Sequence, residues 1–267
     1  ELDTGQRVFS AGRQLTAADI GVLASLGLAE VSVYRCLRVA FFSTGDELRG
    51  VGEPLGPGEI YDSNRYTLHG MLQKLGVDII DLGVVRDRRE LIEQAFREAA
   101  ASADAIITSG GVSVGEADFV KETLEKLGSM SFWKIAMKPG RPVTFGHIDD
   151  AVFFGLPGNP VSVMVTFFVF VRQALRKMTG ATAAGDVLTL HARTTSPLRK
   201  RPGRYEFQRG VLEQAGPGEF TVHSAGAQGS GILRSMSEAN CFIMLEPDRT
   251  GVDTGEVVEV QPFQNLI

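Results

Sequence analysis

Between residues 37 and 180, short apolar runs alternate with segments in which apolar residues recur every three or four positions. The runs LRVAFFS, DIIDLG, DAIITS and AVFFGL have the length of buried strands, and each precedes a segment with helical spacing. We predict the helices after these runs over residues 64–75, 89–101, 117–127 and 160–178. Such alternation is typical of an α/β fold with a mostly parallel sheet and helices on both faces.

The pattern differs on either side of this region. Residues 1–36 hold one amphipathic segment, 16–26, which Thr16 can cap and in which Asp19 lies favourably for the helix dipole. After Gly180, short alternating runs between Gly, Pro and Asp turns predict a small antiparallel, barrel-like β domain. We therefore divide the chain into residues 1–36, too short to be a domain, an α/β domain at 37–183 and a C-terminal β domain at 184–267.

Composition excludes several classes of protein. The net charge of −5 over 267 residues gives no electrostatic footprint for nucleic acid. The longest apolar stretch, residues 161–171, is shorter than the roughly 20 residues of a membrane span. Cys36 and Cys241 lie far apart without metal-ligand spacing, which favours a reducing compartment, the cytoplasm, and argues against structural zinc.

Three loops that follow predicted strands carry unusual residues, at the edge where parallel sheets bind ligands. The first is STGDEL, in which Thr44 and Gly45 can present backbone N–H groups while Asp46 and Glu47 supply oxygen ligands. A capped turn with no ligand is the alternative interpretation of this loop.

The second loop is SGGVSVGEAD. Gly110 and Gly111 permit positive φ and close backbone approach, so their N–H groups can form an anion cradle beside the Ser109 and Ser113 hydroxyls. Glu116 and Asp118 fall at the start of the next helix, where carboxylates either cap the helix or bind a hard cation. A glycine turn with an acidic helix start remains the alternative, and the pattern is not that of an ATPase phosphate loop.

The third feature is a pair of Pro-Gly turns, KPGRP at 138–142 and LPGNPVS at 156–162. The first turn would fix Lys138 and Arg141 as two placed cations. In the second, Asn159 can cap the next helix, Pro160 suits its first turn and Ser162 lies near its positive end.

Other polar residues give weaker signals. The four histidines show no ligand spacing, and no Ser/His/Asp order is present. Arg204, Arg209 and the loop AQGSG at 227–231 are explained as solvated faces unless they point at the α/β domain.

Taken in order, STGDEL, PGEIYDSN, SGGVSVGEAD, KPGRP and LPGNPVS resemble the molybdopterin molybdenumtransferase family, the MoeA and gephyrin E-domain group, and GRYEFQRG and NCFIMLE extend the resemblance to the C-terminus. The family implies a MogA-like α/β domain and a magnesium-dependent insertion of molybdate into adenylylated molybdopterin that releases AMP. It implies catalytic roles for Ser113, Asp118, Lys138 and Arg141, the last standing where many relatives have lysine. The implied magnesium ligands are Asp46, Glu116 and Asp118. The implied substrate contacts are Thr44, Gly45, Asp46, Gly110, Gly111, Ser113, Gly115, Glu116, Pro139, Pro157, Gly158, Asn159, Pro160, Ser162 and Arg204.

The same resemblance implies upstream domains, of which residues 1–36 would be a remnant, and a homodimer of the full-length protein that contacts molybdopterin adenylyltransferase. We expect the chain alone to bind its small-molecule substrates but to turn over poorly. Two alternatives stay open at this point: a molybdopterin adenylyltransferase, which the β domain disfavours, and a gephyrin-like peptide-binding scaffold.

Overall fold

The computed structural model of the chain describes residues 3, 5–110, 119–182 and 187–263. Its helical elements are α1 (Ala17–Ser25), α2 (Ser63–Leu75), α3 (Arg89–Ser102), α4 (Phe119–Leu127), α5 (Pro160–Thr166), a π-helical turn (Phe167–Val171), α6 (Arg172–Met178) and α7 (Arg234–Glu238). Its strands are β1 (Arg38–Thr44), β2 (Leu48–Arg49), β3 (Ile60–Tyr61), β4 (Asp78–Val85), β5 (Ala105–Ser109), β6 (Gly128–Lys134), β7 (Met137–Lys138), β8 (Pro142–Ile148), β9 (Ala151–Leu156), β10 (Leu190–Thr194), β11 (Leu198–Arg199), β12 (Tyr205–Gly216), β13 (Glu219–Ser224), β14 (Cys241–Leu245), β15 (Gly251–Val252) and β16 (Val257–Pro262).

The first sheet has the order β4-β1-β5-β9-β8-β6. The four strands from β4 to β9 are parallel, whereas β8 and β6 extend the sheet beyond β9 as antiparallel strands. The mostly parallel sheet is therefore confirmed, and its four parallel strands are those predicted from the apolar runs. The antiparallel pair was not predicted, because the edge strand GSMSFWK is largely exposed and carries no continuous apolar run.

Alternate residues of each central strand face opposite helical layers. Val39 and Phe41 pack in a cluster with Leu68 and Met71 of α2 and with the helix that starts at Pro160. Ala40 and Phe42 pack on the other face, in a cluster with α3 and α4. This alternation within continuous apolar strands shows that both faces of the sheet are buried, as expected of a parallel sheet.

The helices agree with the predicted spans within one or two residues where both are described. Thr16 and Asp19 form the expected capping box at α1. The predicted helix over 160–178 is continuous but contains the π-helical turn, which apolar spacing alone does not reveal. Within the described ranges no helix is long and apolar enough to cross a membrane.

The C-terminal part closes into a five-stranded barrel in the order β13-β10-β16-β14-β12, because β12 also pairs with β13. All of these pairings are antiparallel except β10 with β13. The predicted barrel-like β domain is therefore confirmed, with one parallel pair. The strand β7 leaves the α/β part and adds to the barrel beside β12, so the two parts share a sheet.

Candidate active site at the carboxyl edge of the sheet

The parallel strands β1, β5 and β9 end side by side, and the predicted loops leave from these ends. The pairing of β1 with β5 ends at Ser43 and Ser109, and the pairing of β5 with β9 ends at Ser109 and Leu156. The carboxyl edge therefore holds the start of STGDEL, the start of SGGVSVGEAD and LPGNPVS together.

The loop after β1 packs onto the loop after β4. Thr44 is buried and its Oγ1 has no hydrogen-bond partner in the described structure. Asp46 is exposed, its Oδ1 accepts from the Asp87 N–H at 3.2 Å and its carbonyl accepts from Arg86 Nη1 at 2.8 Å. One carboxylate oxygen of Asp46 thus fixes the neighbouring loop, and Glu47 beside it is a second exposed acid at this edge.

Gly110 makes the closest approach between β5 and β1. Its φ is +84°, and a Cβ there would lie 2.6 Å from the Thr44 carbonyl oxygen. The requirement for glycine is confirmed, and two groups of the predicted cradle have hydrogen-bond partners within the sheet. The Gly110 N–H donates to the Leu156 carbonyl at 3.2 Å, and the buried Ser109 hydroxyl pairs with Ser43 at 2.9 Å, so strand contacts occupy both groups.

The rest of this loop lies outside the described residues. That applies to the predicted site residues Gly111, Ser113, Gly115, Glu116 and Asp118. Their roles stay predictions from the sequence.

The LPGNPVS turn begins α5 and meets two other elements. A Cβ at Gly158 would lie 3.8 Å from the Gly110 Cα, and the Gly158 carbonyl accepts from Asn64 Nδ2 at 2.7 Å. Pro160 occupies the first helical turn as predicted, whereas Asn159 stands at the N-cap without a side-chain capping bond. The prediction that its side chain caps the helix is therefore wrong.

The KPGRP turn packs against the same helix. Gly140 has φ +97°, and a Cβ there would lie 2.6 Å from Thr166 Oγ1 and 3.6 Å from the Ser162 carbonyl oxygen. The two Pro-Gly motifs, separated by the hairpin of β8 and β9, are thus in contact. Buried Ser162, the last residue of LPGNPVS, stands at this contact.

The two predicted cations of this turn are not equivalent. Lys138 Nζ lies 3.3 Å from Oε1 of Glu206 on β12, whose side chain is only 4% exposed. Arg141 is exposed and forms no ion pair with another described residue. Lys138 therefore connects the turn to the barrel, whereas the exposed Arg141 guanidinium has no ionic partner among the described residues.

The barrel contributes a loop that sequence reasoning did not place at the site. The Ser230 carbonyl accepts the Val161 N–H of α5 at 3.1 Å, and a Cβ at Gly231 would lie 4.0 Å from Asn159 Oδ1. The AQGSG loop is therefore part of the wall around the start of α5. Arg204 is exposed just before β12, next to Tyr205, whose N–H donates to the Ala136 carbonyl before the KPGRP turn.

Arg209 holds this loop in place and is only 1% exposed, so its interpretation as a solvated residue is wrong. Its guanidinium donates to Ser235 Oγ at 3.0 Å and to the Ala227 and Gly229 carbonyls at 3.2 and 3.0 Å. Burial lowers the pKa of Arg209 to about 10. A polar, glycine-rich loop such as AQGSG exposes carbonyl groups that a nearby strand arginine can bond, and this feature of the sequence could have suggested the contact.

The described acids do not form a complete metal site. No group of three or more His, Cys, Asp or Glu side chains suited to a metal ion occurs among the residues that the structure describes. Of the predicted ligands, Asp46 alone is described, and it retains one carboxylate oxygen of the hard type that Mg²⁺ prefers.

Comparison with known proteins agrees with this arrangement. Residues 40–177 match the family described as a probable molybdopterin binding domain, and residues 191–263 match the MoeA C-terminal region, domain IV. A crystal structure of a molybdopterin biosynthesis MoeA protein from Pyrococcus horikosii superposes with a TM-score of 0.79 at 30% identity, covering 95% of this chain and 61% of that one. The chain thus combines an α/β domain of the probable molybdopterin-binding type with a MoeA-type C-terminal barrel.

Relatives identify the family. The molybdopterin molybdenumtransferase of Haemophilus influenzae is 47% identical over the whole chain, and that of Bacillus subtilis is 32% identical over 96% of it. The chain belongs to the molybdopterin molybdenumtransferase family. It spans 66% of the Haemophilus protein's length and 59% of the Bacillus protein's.

Proposed function

We propose that this chain carries the substrate site of a transferase in molybdenum cofactor biosynthesis, which inserts molybdate into adenylylated molybdopterin and releases AMP. The observation that carries the proposal is the convergence of STGDEL, Ser109 and Gly110, KPGRP and LPGNPVS around α5. Contacts at Gly110, Gly140 and Gly158 link these motifs. Separate turns with structural roles alone would not need to meet.

The site has a cationic side suited to oxyanions. Arg141 is exposed, and Lys138 keeps 44% of its side chain accessible despite its pairing with Glu206. Gly140, which stands between them in the sequence, approaches the Ser162 carbonyl in the first turn of α5, a helix whose amino end carries a positive dipole. We assign molybdate and the substrate phosphates to this side, with Pro139, Pro157 and Ser162 shaping it and Arg204 at its barrel edge.

The opposite side supplies acids. We assign magnesium to Asp46, Glu116 and Asp118, whose carboxylate oxygens suit a hard cation. When bound, Mg²⁺ would neutralise charge on the phosphoanhydride oxygens. The chain's own residues would orient the substrate. Its phosphate would contact Gly111, Ser113 and Gly115, and the adjacent part of the substrate would contact Thr44 and Gly45.

We further propose domain limits at 37–183 and 184–267, and a cytoplasmic homodimer for the whole protein that contacts molybdopterin adenylyltransferase. These statements rest on the family relationship. The whole protein's activity is a proposal for the same reason, since the chain spans only part of its relatives.

Two measurements on the 267-residue chain test the proposal. Calorimetry with molybdopterin, AMP and molybdate measures binding, and AMP release from adenylylated molybdopterin is measured with and without molybdate and magnesium. We expect molybdopterin to bind, and AMP release to be slow and to require both additions. A chain that binds neither molybdopterin nor AMP while giving a folded circular dichroism spectrum would refute the assignment.

A further inference from the structure

A cavity of about 1410 Å³ lies at the opposite edge of the sheet from the candidate active site. Leu37 and Val77 line it, and they immediately precede β1 and β4. The remaining walls come from residues 8–36, from the end of α6 and from the approach to the barrel at Val187 and Leu188. This amino-edge cavity is separate from the candidate active site, because the two sites adjoin opposite ends of the same strands.

The charged side chains that line the amino-edge cavity are all basic among the described residues. Five basic residues line it and no aspartate or glutamate does so among the described residues: Arg13, Arg35, Lys74, Arg172 and Arg176. Arg13 forms an ion pair with Asp19, and Arg35 forms one with Asp104. Arg172 and Arg176 form no ion pair with any residue in the described ranges.

These two arginines are neighbours on one helix face. They stand four residues apart on α6, where side chains of equal charge repel each other. Both are half-buried, and Arg172 Nε is shielded from water without a hydrogen-bond partner in the described part of the chain. Burial, and then the charge of Arg176, lower the pKa of Arg172. An anion in the cavity would contact the outer guanidinium nitrogens of the two arginines and would offset the repulsion between their charges.

Two contacts join the walls around the arginine pair. Gly180 has φ +81°, and a Cβ there would lie 2.6 Å from the Tyr34 ring, so that ring lies directly on the end of α6. The Thr182 N–H donates to the Gly12 carbonyl at 3.0 Å and attaches the segment before α1 to the same place. Leucine and valine side chains, among them Leu23, Leu28 and Leu75, make up much of the remaining lining.

We propose that the amino-edge cavity is a second ligand site, which takes an organic anion with an apolar or aromatic body and a phosphate, sulfonate or carboxylate group held by Arg172 and Arg176. The volume exceeds the roughly 300–1,000 Å³ of ordinary small-molecule sites, so the body can be large. The apolar walls account for the body, and the two arginines for the charge. The proposal does not depend on the chemistry at the carboxyl edge.

The test compares two dyes on the 267-residue chain by fluorescence titration. One is 8-anilinonaphthalene-1-sulfonate, and the other is its uncharged relative N-phenyl-1-naphthylamine. We expect the anionic dye to bind with one-to-one stoichiometry, inorganic phosphate to compete with it, and the double variant R172Q/R176Q to weaken it about tenfold or more. Binding of the neutral dye should not change.

Two controls locate the effect. Lys177 is exposed on the same helix and does not line the cavity, so K177Q should leave both titrations unaltered. The variant K138A/R141A should keep the anionic dye, which separates this site from the candidate active site. Loss of dye in K138A/R141A, an equal loss in K177Q, or equal weakening of both dyes by R172Q/R176Q would overturn the proposal. If the double variant does not fold, as judged by near-UV circular dichroism, failure of phosphate to displace the anionic dye from the unaltered chain overturns it.

Discussion

Gly110 is the residue at which backbone geometry most constrains the candidate site. Alanine there would combine a positive φ with a contact of 2.6 Å to the Thr44 carbonyl oxygen. Gly58 offers a matched control, because its φ is +80° and nothing lies within 4 Å of a Cβ. We expect G58A to cost about 1 kcal/mol of unfolding free energy and G110A about 1–3 kcal/mol more. Urea unfolding of both variants measures the difference, and equal costs would contradict the close approach.

Lys138 and Arg141 should respond differently to removal. Alanine at Lys138 leaves Glu206 buried without its cation, so we expect a loss of about 1–2 kcal/mol of stability. R141A should leave stability unchanged. Both variants should weaken molybdate use more than pterin binding, by about 1.5–3 kcal/mol for a charge-assisted hydrogen bond.

A third variant separates the two roles of Lys138. K138A/E206Q removes the buried charge as well, so stability should recover while molybdate use stays weak. Thermal unfolding and the dependence of AMP release on molybdate concentration provide the two readouts. Unchanged molybdate dependence in all three variants would remove both cations from the proposed site.

Asp118 lies outside the described residues, so the prediction for it rests on the sequence alone. D118N removes a carboxylate charge at a proposed hard-cation site with little change in volume. We expect magnesium-dependent AMP release to be lost and the melting temperature to stay the same. Near-normal release at limiting magnesium would show that the metal role is wrong.

At the scale of elements, the sequence predicted what depends on local periodicity. The four parallel strands and the helices after them follow from apolar runs and 3.6-residue spacing. The pairing of β7 with the barrel, the parallel pairing of β10 with β13 and the burial of Arg209 depend on residues 18 or more positions away. A strand that is buried on both faces can enclose an arginine if carbonyl groups surround it, and those carbonyls come from a later loop. No residue type selects molybdate by itself, so the prediction of molybdenum rests only on the resemblance to the family.

The junction between residues 35–38 and β5 should control stability in acid. Asp104 accepts two hydrogen bonds from Arg35, at 2.6 and 2.7 Å, and one from the Arg38 N–H at 2.8 Å. The Arg35 side chain above all, and then Arg38, hold the pKa of Asp104 below its ordinary value although partial burial opposes the shift. A carboxyl with a lowered pKa in the folded state stabilises the fold above its unfolded pKa of about 4, and this contribution is lost as pH falls below that value.

We therefore expect D104N to cost about 1–2 kcal/mol at pH 7 and progressively less as the pH falls from 4 to 2. Urea unfolding across this pH range measures the change. The exposed Asp150, which forms no ion pair with a described residue, provides the control D150N, whose pH dependence should match that of the unaltered chain. A D104N penalty that stays constant down to pH 2 would contradict the ion pairing.

For the whole molecule, the two folded parts share a core. One cluster contains residues of the sheet, of α2 and α5, and of the barrel, including Met236, Phe242 and Phe263. Phe168 connects them: its ring lies 5.9 Å from Phe242 and 6.4 Å from Phe263. Together with the β7–β12 pairing, this shared core implies that the α/β domain and the barrel unfold as one unit.

The final prediction tests that coupling by comparing two buried phenylalanines. F168A removes the ring that joins the parts, whereas F96A removes a ring that packs on Phe42 and Phe153 entirely within the α/β domain. Each should cost about 3–5 kcal/mol, as expected for loss of a buried aromatic ring. We expect the unaltered chain and F96A to give one calorimetric transition, with equal calorimetric and van't Hoff enthalpies, and F168A to give two. The reason is that F168A weakens the interface more than either part, so the barrel can melt while the α/β domain stays folded. A single transition in F168A at the temperature of F96A would mean that β7 and the AQGSG loop couple the parts without the aromatic cluster. Two transitions in the unaltered chain would show that the shared core does not couple them.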